Sequence, residues 1–146
     1  DHIGVKARSE SAKLILKKMK AFPTELPAIL TGDFNVDQNN ESYALLDNSG
    51  IMRDAYQIAE LRYAPNGTCN GFQTDLKTES RIDHLFLTKE FSVKKYAILT
   101  DTYRSEIIEK TNAEQNGNFP KEVTLKKHVA RTPSDHFPVV IVVEIK

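Results

Sequence analysis

Cysteine is almost absent from this chain: Cys69 stands alone. No disulfide can form within it, and a cysteine-rich zinc site is excluded. Glycine and proline are scarce, six of each in 146 residues, which rules out a collagen-like chain and argues against a wholly disordered one. Net charge is missing as well. Twenty basic residues balance twenty acidic ones, so the chain lacks the basic excess of a dedicated non-specific nucleic-acid binder. A nuclease whose metal and local residues handle the phosphate stays open. No apolar run is long enough to cross a bilayer, and no signal peptide is visible. The chain opens on Asp1 rather than Met. A segment upstream of Asp1, with any targeting signal, is therefore expected, and localisation stays undetermined, export included.

What is present suits one α/β domain. Hydrophobic residues make up 40% of the chain, enough for a core at this length. Residues 9–20 read as an amphipathic helix: Ala12, Ile15, Leu16 and Met19 recur at helical spacing, lysines fill the other face, and Ser9 is the expected N-cap. Pro23 and Pro27 end it. Residues 28–31 form a short apolar run that suits a buried strand. A short helix is expected at 42–47 and strands at 81–88 and 91–100, while 51–60 is ambiguous between loop and helix. Residues 102–123 read as a surface loop with a helical turn near 105–110. The β-branched run 139–145 is expected to be a core strand. A sheet built from these strands has two faces to cover, and the chain offers one long helix. A second sheet from elsewhere is expected to cover the other face.

Three clusters carry chemistry. In Thr31-Gly32-Asp33-Phe34-Asn35, an apolar strand delivers Asp33 and Asn35. In an extended segment the two would point to one side, where a carboxylate holds a hard cation or takes a proton and an amide donates to a phosphate oxygen. An ordinary turn is the competing reading. In Arg81-Ile82-Asp83-His84, Asp83 sits inside an apolar strand and needs a partner, for which an imidazole is the natural candidate. His84 points the other way and reads as a packing or surface histidine. In Ser134-Asp135-His136-Phe137-Pro138, a histidine beside a carboxylate precedes the last strand, well placed for proton handling. A fourth segment, Gly67-Thr68-Cys69-Asn70-Gly71-Phe72, suits either a cleft lining or an ordinary connection. Nothing nearby in sequence activates Cys69, which reads as a packing residue.

Each signal is weak alone, but the order and the roughly fifty-residue spacing of the three clusters resemble the endonuclease/exonuclease/phosphatase family. The resemblance runs along the whole chain, and Gly-Asp-Phe-Asn and Ser-Asp-His are its most specific parts. The helix start Arg8-Ser9-Glu10-Ser11-Ala12 and the stretch from Thr68 to Phe72 also resemble the bacterial branch, with Cys69 in place of its Phe. The resemblance implies an α/β fold that is part of a four-layer α/β sandwich, DNase I-like, with mixed β-sheet flanked by helices. It implies a divalent-metal-dependent hydrolase of phosphate esters, with phosphodiesters and a nuclease or phosphodiesterase activity foremost, acting by in-line attack of an activated water. Asp33 would orient or deprotonate that water, and Asn35 would hold it or a phosphate oxygen. Asp83 would charge the His136 imidazole against the scissile phosphate. Asp135 and Asp33 would contribute to a Mg²⁺ site, with Mn²⁺ as the alternative, and Asn70 would bind substrate.

The family's Asn and Glu metal-site motifs lie in an N-terminal half that residues 1–146 lack. The chain is therefore expected to be the C-terminal portion of a single domain, with that N-terminal half as its partner, and to be inactive alone. The substrate would be a nucleic acid, a phosphoinositide or a phospholipid headgroup. The reading from another class is a catalytically inactive relative acting as a binding module.

Overall fold

The computed structural model describes residues 3–23, 25–107, 120 and 126–146. Helix α1 (Val5–Lys20) begins one turn earlier than the sequence suggests, behind Gly4, which offers no side-chain cap; Ser9 is inside the helix. The apolar stripe overrides the weak capping signal, because burial along four turns outweighs one terminal hydrogen bond. Lys17, Lys18 and Lys20 crowd its last turn, where cations meet the negative end of the helix dipole.

Strand β1 (Ile29–Asp33) leads to α2 (Glu41–Asp47), which Asn40 caps by accepting from the Ser42 N–H at 2.9 Å. The ambiguous stretch after it divides into β2 (Arg53–Asp54) and α3 (Ala55–Ile58), and Asp54 caps α3 by accepting from the Tyr56 N–H at 3.0 Å. Strands β3 (Leu61–Tyr63), β4 (Asp83–Leu87) and β5 (Phe91–Ile98) follow. Then come β6 (Tyr103–Glu106), β7 (His128–Arg131) and β8 (Val139–Ile145).

One sheet has the order β1-β4-β2, antiparallel throughout. The other runs β3-β5-β8, with β3 parallel and β8 antiparallel to β5. Alternation along β4 links the layers. His84 and Phe86 face α1 and α2, where Ala12, Tyr43, Leu46 and Met52 bury against Phe86. Leu85 and Leu87 face the second sheet and join Phe91, Val93, Tyr96 and Ile98. A register shift between Val93 and Lys95 keeps those four β5 side chains on the inner face. The chain thus supplies the second sheet itself, where the sequence led us to expect one from elsewhere. What stays uncovered among the described residues is the outer face of that sheet.

Residues 103–106 are a strand rather than the start of a helical turn. Tyr103 pairs with Arg131 and Glu106 with His128, giving the segment a cross-strand partner that a loop reading does not include. The rest of the expected turn, residues 108–110, lies outside the described residues, as do 111–119 and 121–125. No helix among the described residues is long and apolar enough to cross a membrane.

Between the layers lies a buried ion pair. Arg81 Nη1 reaches Asp54 Oδ2 at 3.0 Å, with side-chain exposures of 6% and 1%. Asp54 also accepts from the Tyr43 hydroxyl at 2.8 Å, and the Arg81 guanidinium stacks 3.6 Å above the Tyr56 ring. Burial pushes the Tyr96 phenol up to about 12, with the Arg81 charge opposing.

Candidate active site

The antiparallel register of β1 and β4 places Asp33 directly opposite Asp83, at the same end of the sheet. The loop after β7 returns to that end. His136 Nδ1 lies 2.8 Å from Asp83 Oδ2, and both side chains are about one-quarter exposed. An ionised carboxylate can only accept, so Nδ1–H donates and Nε2 is left for another partner. Partial burial pulls the imidazole pKa down. The hydrogen bond and charge of Asp83 oppose it, aided by the charges of Asp33 and Asp135, and the net direction is upward. Three carboxylates from three segments thus act on one imidazole.

Asn35 reaches the cluster by a different route from the one its spacing suggests. Its backbone is left-handed, with φ +52°, so Asp33 and Asn35 are not two residues of one extended segment. They form an Asx turn: the Asn35 N–H donates to Asp33 Oδ1 at 2.8 Å, and Asn35 Nδ2 donates to Asp33 Oδ2 at 2.9 Å. The turn and the grouping of the two side chains are one feature, because asparagine tolerates the left-handed region. Asp135 is exposed beside His136, and Ser134 Oγ donates to its Oδ1 at 3.3 Å.

Asn70 is 97% buried. Its Oδ1 accepts from the Phe72 N–H at 2.8 Å and from Thr132 Oγ1 at 3.2 Å, while Nδ2 is buried with no partner among the described residues. The Asp135 carbonyl accepts from the N–H groups of Asn70 and Gly71, at 2.7 and 3.0 Å. The glycine-framed segment is therefore stapled to the Ser-Asp-His loop. His84 is a core histidine: Nε2 lies 2.9 Å from the Val36 carbonyl, and Phe34, Tyr43 and Phe86 pack around the ring. Burial lowers its pKa.

Thr68 is the residue that sequence reasoning passed over. It is fully buried. Its Oγ1 accepts from the N–H groups of Ile82 and Asp83, at 2.9 and 3.1 Å, and its carbonyl accepts from the Phe137 N–H at 2.7 Å. One side chain fixes the start of β4 and one carbonyl fixes the segment after His136, so Thr68 sets the spacing of the Asp83–His136 pair. Only its place in the Thr-Cys-Asn-Gly-Phe stretch hints at this.

A metal fits this donor set in a limited way. Asp33 and Asp135 are exposed oxygen donors whose charges both act on His136, hard ligands of the kind Mg²⁺ accepts one or two at a time, with water and substrate completing its shell. Among the described residues no group of three His, Cys, Asp or Glu side chains could hold a metal unaided.

Comparison with known proteins identifies the family and the fold. The model of the Endonuclease/Exonuclease/phosphatase family matches residues 12–136. The mannosyl-6-phosphatase of Bacteroides thetaiotaomicron VPI-5482 is 47% identical with a TM-score of 0.82, over 99% of this chain and 48% of its own. A family protein from Bacteroides thetaiotaomicron is 50% identical with a TM-score of 0.81, over 98% of this chain and 47% of its own. Another from Bacteroides vulgatus is 29% identical with a TM-score of 0.70, over all of this chain and 47% of its own. The chain thus spans just under half the length of these solved structures. No curated protein sequence matches it.

Proposed function

Because this chain belongs to the endonuclease/exonuclease/phosphatase family, we propose that it carries the C-terminal half of a divalent-metal-dependent phosphate-ester hydrolase. The observation that carries this reading is the 2.8 Å Asp83–His136 pair with Asp33 opposite Asp83 in register. His136, whose pKa its carboxylate neighbours raise, presents Nε2 to the scissile phosphate and in its protonated form stabilises the growing charge. Asp33 takes the proton of the attacking water, and Asn35 holds that carboxylate in one orientation. Asn70 supports the substrate side of the site through its loop. Asp33 and Asp135 would hold Mg²⁺ or Mn²⁺, which supplies Lewis-acid polarisation of the phosphoryl group when bound.

The N-terminal half of the same domain is part of this proposal. On the outer face of the second sheet Leu61 and Tyr63 of β3 and Val140 and Val142 of β8 are exposed on either side of Lys95 and Ala97 of β5, a largely apolar surface broken by one lysine that suits a covering element. The solved relatives have about twice the chain to provide one. The isolated 146 residues are then inactive. For substrate, the sequence favours a phosphodiester. The relative described as a mannosyl-6-phosphatase adds a sugar phosphomonoester to the first trials.

The test is hydrolysis by the full-length protein of a sugar 6-phosphate and a simple phosphodiester, with and without Mg²⁺. Turnover requires the metal and stops on chelation. Asn35→Ala and His136→Ala each lower kcat by about 10²–10⁴ with folding intact. A metal-supplied wild type that turns over neither ester would favour the inactive binding module. A His136→Ala variant within twofold of wild type would remove the mechanism.

A further inference from the structure

Phe72 is out of place by every rule of folding economy. Its backbone lies at φ +61°, next to Gly71 at φ +57°, a region that bulky side chains avoid. Its ring is 65% exposed, so no core burial compensates. The conformation is nonetheless firmly imposed. The Phe72 N–H donates to Asn70 Oδ1 at 2.8 Å, the Gln73 N–H to the Asn70 carbonyl at 3.0 Å, and the Gly71 N–H to the Asp135 carbonyl at 3.0 Å. Cys69, three residues before Phe72, forms a β-bridge with His136. A strained, rigid loop therefore displays an aromatic ring in solvent, attached to the backbone that carries His136.

We propose that Phe72 is a specificity-determining residue: its ring is the platform for the sugar ring of a sugar phosphate whose phosphoryl group meets His136. This rests on the phosphate-ester reading above. The chemistry of the loop selects the occupant. Residues 68–75 carry a single charge, that of Asp75, so nothing in the loop attracts a chain of phosphates and the only charge repels one. A neutral ring with an apolar C–H face matches an exposed phenyl ring flanked by the uncharged Asn70, Gln73 and Thr74, and its contact is worth having only when water is excluded.

The test compares a sugar 6-phosphate with ethyl phosphate, which has the phosphoryl group and no ring, on the full-length protein. Phe72→Ala raises KM for the sugar ester about tenfold, with kcat little changed and both constants for ethyl phosphate within twofold. Phe72→Trp keeps the sugar KM within twofold. Phe72→Gly, which suits the positive φ, raises the melting temperature while losing sugar selectivity; a residue kept for stability would do the reverse. Equal effects on both esters, or none, overturn the platform. If the wild type hydrolyses neither ester, the hydrolase reading is decided separately by the phosphodiester trial above, and the platform is judged by NMR titration with the sugar phosphate and inorganic phosphate. About tenfold weaker binding of the sugar phosphate alone in Phe72→Ala upholds it. Unchanged or undetectable sugar phosphate binding overturns it.

Discussion

Replacing Asp54 by asparagine tests the buried ion pair without changing its shape. The amide oxygen of the variant can still accept, so the cap on α3 or the Tyr43 hydroxyl bond survives. The charge does not, and Arg81 is left with a guanidinium that is almost wholly out of water. Removing one partner of such a pair typically costs about 3–5 kcal/mol, because the remaining charge is buried and uncompensated. The stack of Arg81 on Tyr56 at 3.6 Å remains and is worth up to about 2 kcal/mol when desolvated, which places the expected loss near the lower end, about 3 kcal/mol. That is a large share of a total stability of about 5–15 kcal/mol. With an m-value of about 2–3 kcal/mol per molar urea, the midpoint of unfolding of the full-length protein falls by roughly 1–1.5 M. Adding Arg81→Met removes the orphaned charge and restores part of the loss, so the two substitutions are strongly non-additive. A fall below about 0.5 kcal/mol, or a double variant no more stable than Asp54→Asn, would show that water reaches the pair and that the reasoning from burial is wrong.

Asp83→Asn tests the electrostatics of the site. Partial burial lowers the His136 pKa and the Asp83 hydrogen bond and charge raise it, so the variant's imidazole titrates at lower pH by NMR in metal-free protein. In wild type the raised folded-state pKa contributes stability that is full below the unfolded value and lost as pH rises through the folded one. If the imidazolium is the working form, the alkaline limb of kcat moves to lower pH in the variant, and an unmoved limb would refute that role. Gly67→Ala tests the loop behind the site. An added Cβ would collide with the Ser80 carbonyl oxygen and lie 2.8 Å from Thr78 Cγ2, so the variant loses about 1–3 kcal/mol. A melting temperature equal to wild type would show that residues 67–68 can separate from residues 78–80.

The sequence showed the pieces of the site better than the contacts that assemble them. Asp33, Asp83 and His136 were legible because each sits in a short motif, and the ordered series of motifs carries the family resemblance. The fold class followed from the same resemblance, α1 from its periodicity and β8 from its β-branched run. Strands β3 and β7 were not legible. Leu61-Arg62-Tyr63 alternates, but over only three residues, too few to signal a strand, and it becomes one because it lies parallel to residues 95–97 of β5. Likewise 128–131 has only Val129 and Ala130 to suggest a strand, and its partner β6 is more than twenty residues away. Thr68 escaped notice for a related reason: its function is two N–H bonds from another segment, and a threonine between glycine and cysteine carries no mark of that.

The alternation of β4 explains why two adjacent ionisable residues have opposite fates. Asp83 and His84 are neighbours, yet a strand sends successive side chains to opposite faces. The pairing of Asp33 with Asp83 and of Leu30 with Phe86 puts His84 among Phe34, Tyr43 and Phe86, where burial depresses its pKa and disfavours its charge. The same pairing puts Asp83 on the face where the loop from β7 delivers His136, whose pKa is raised. A slip of one residue in this register would exchange the two faces. It would place a carboxylate among aromatic rings and take the partner away from His136. The register is held by the hydrophobic demand of Phe86 on one side and of Leu85 and Leu87 on the other. The packing of three apolar residues of β4 thus buries His84 and leaves Asp83 on the side where it meets His136.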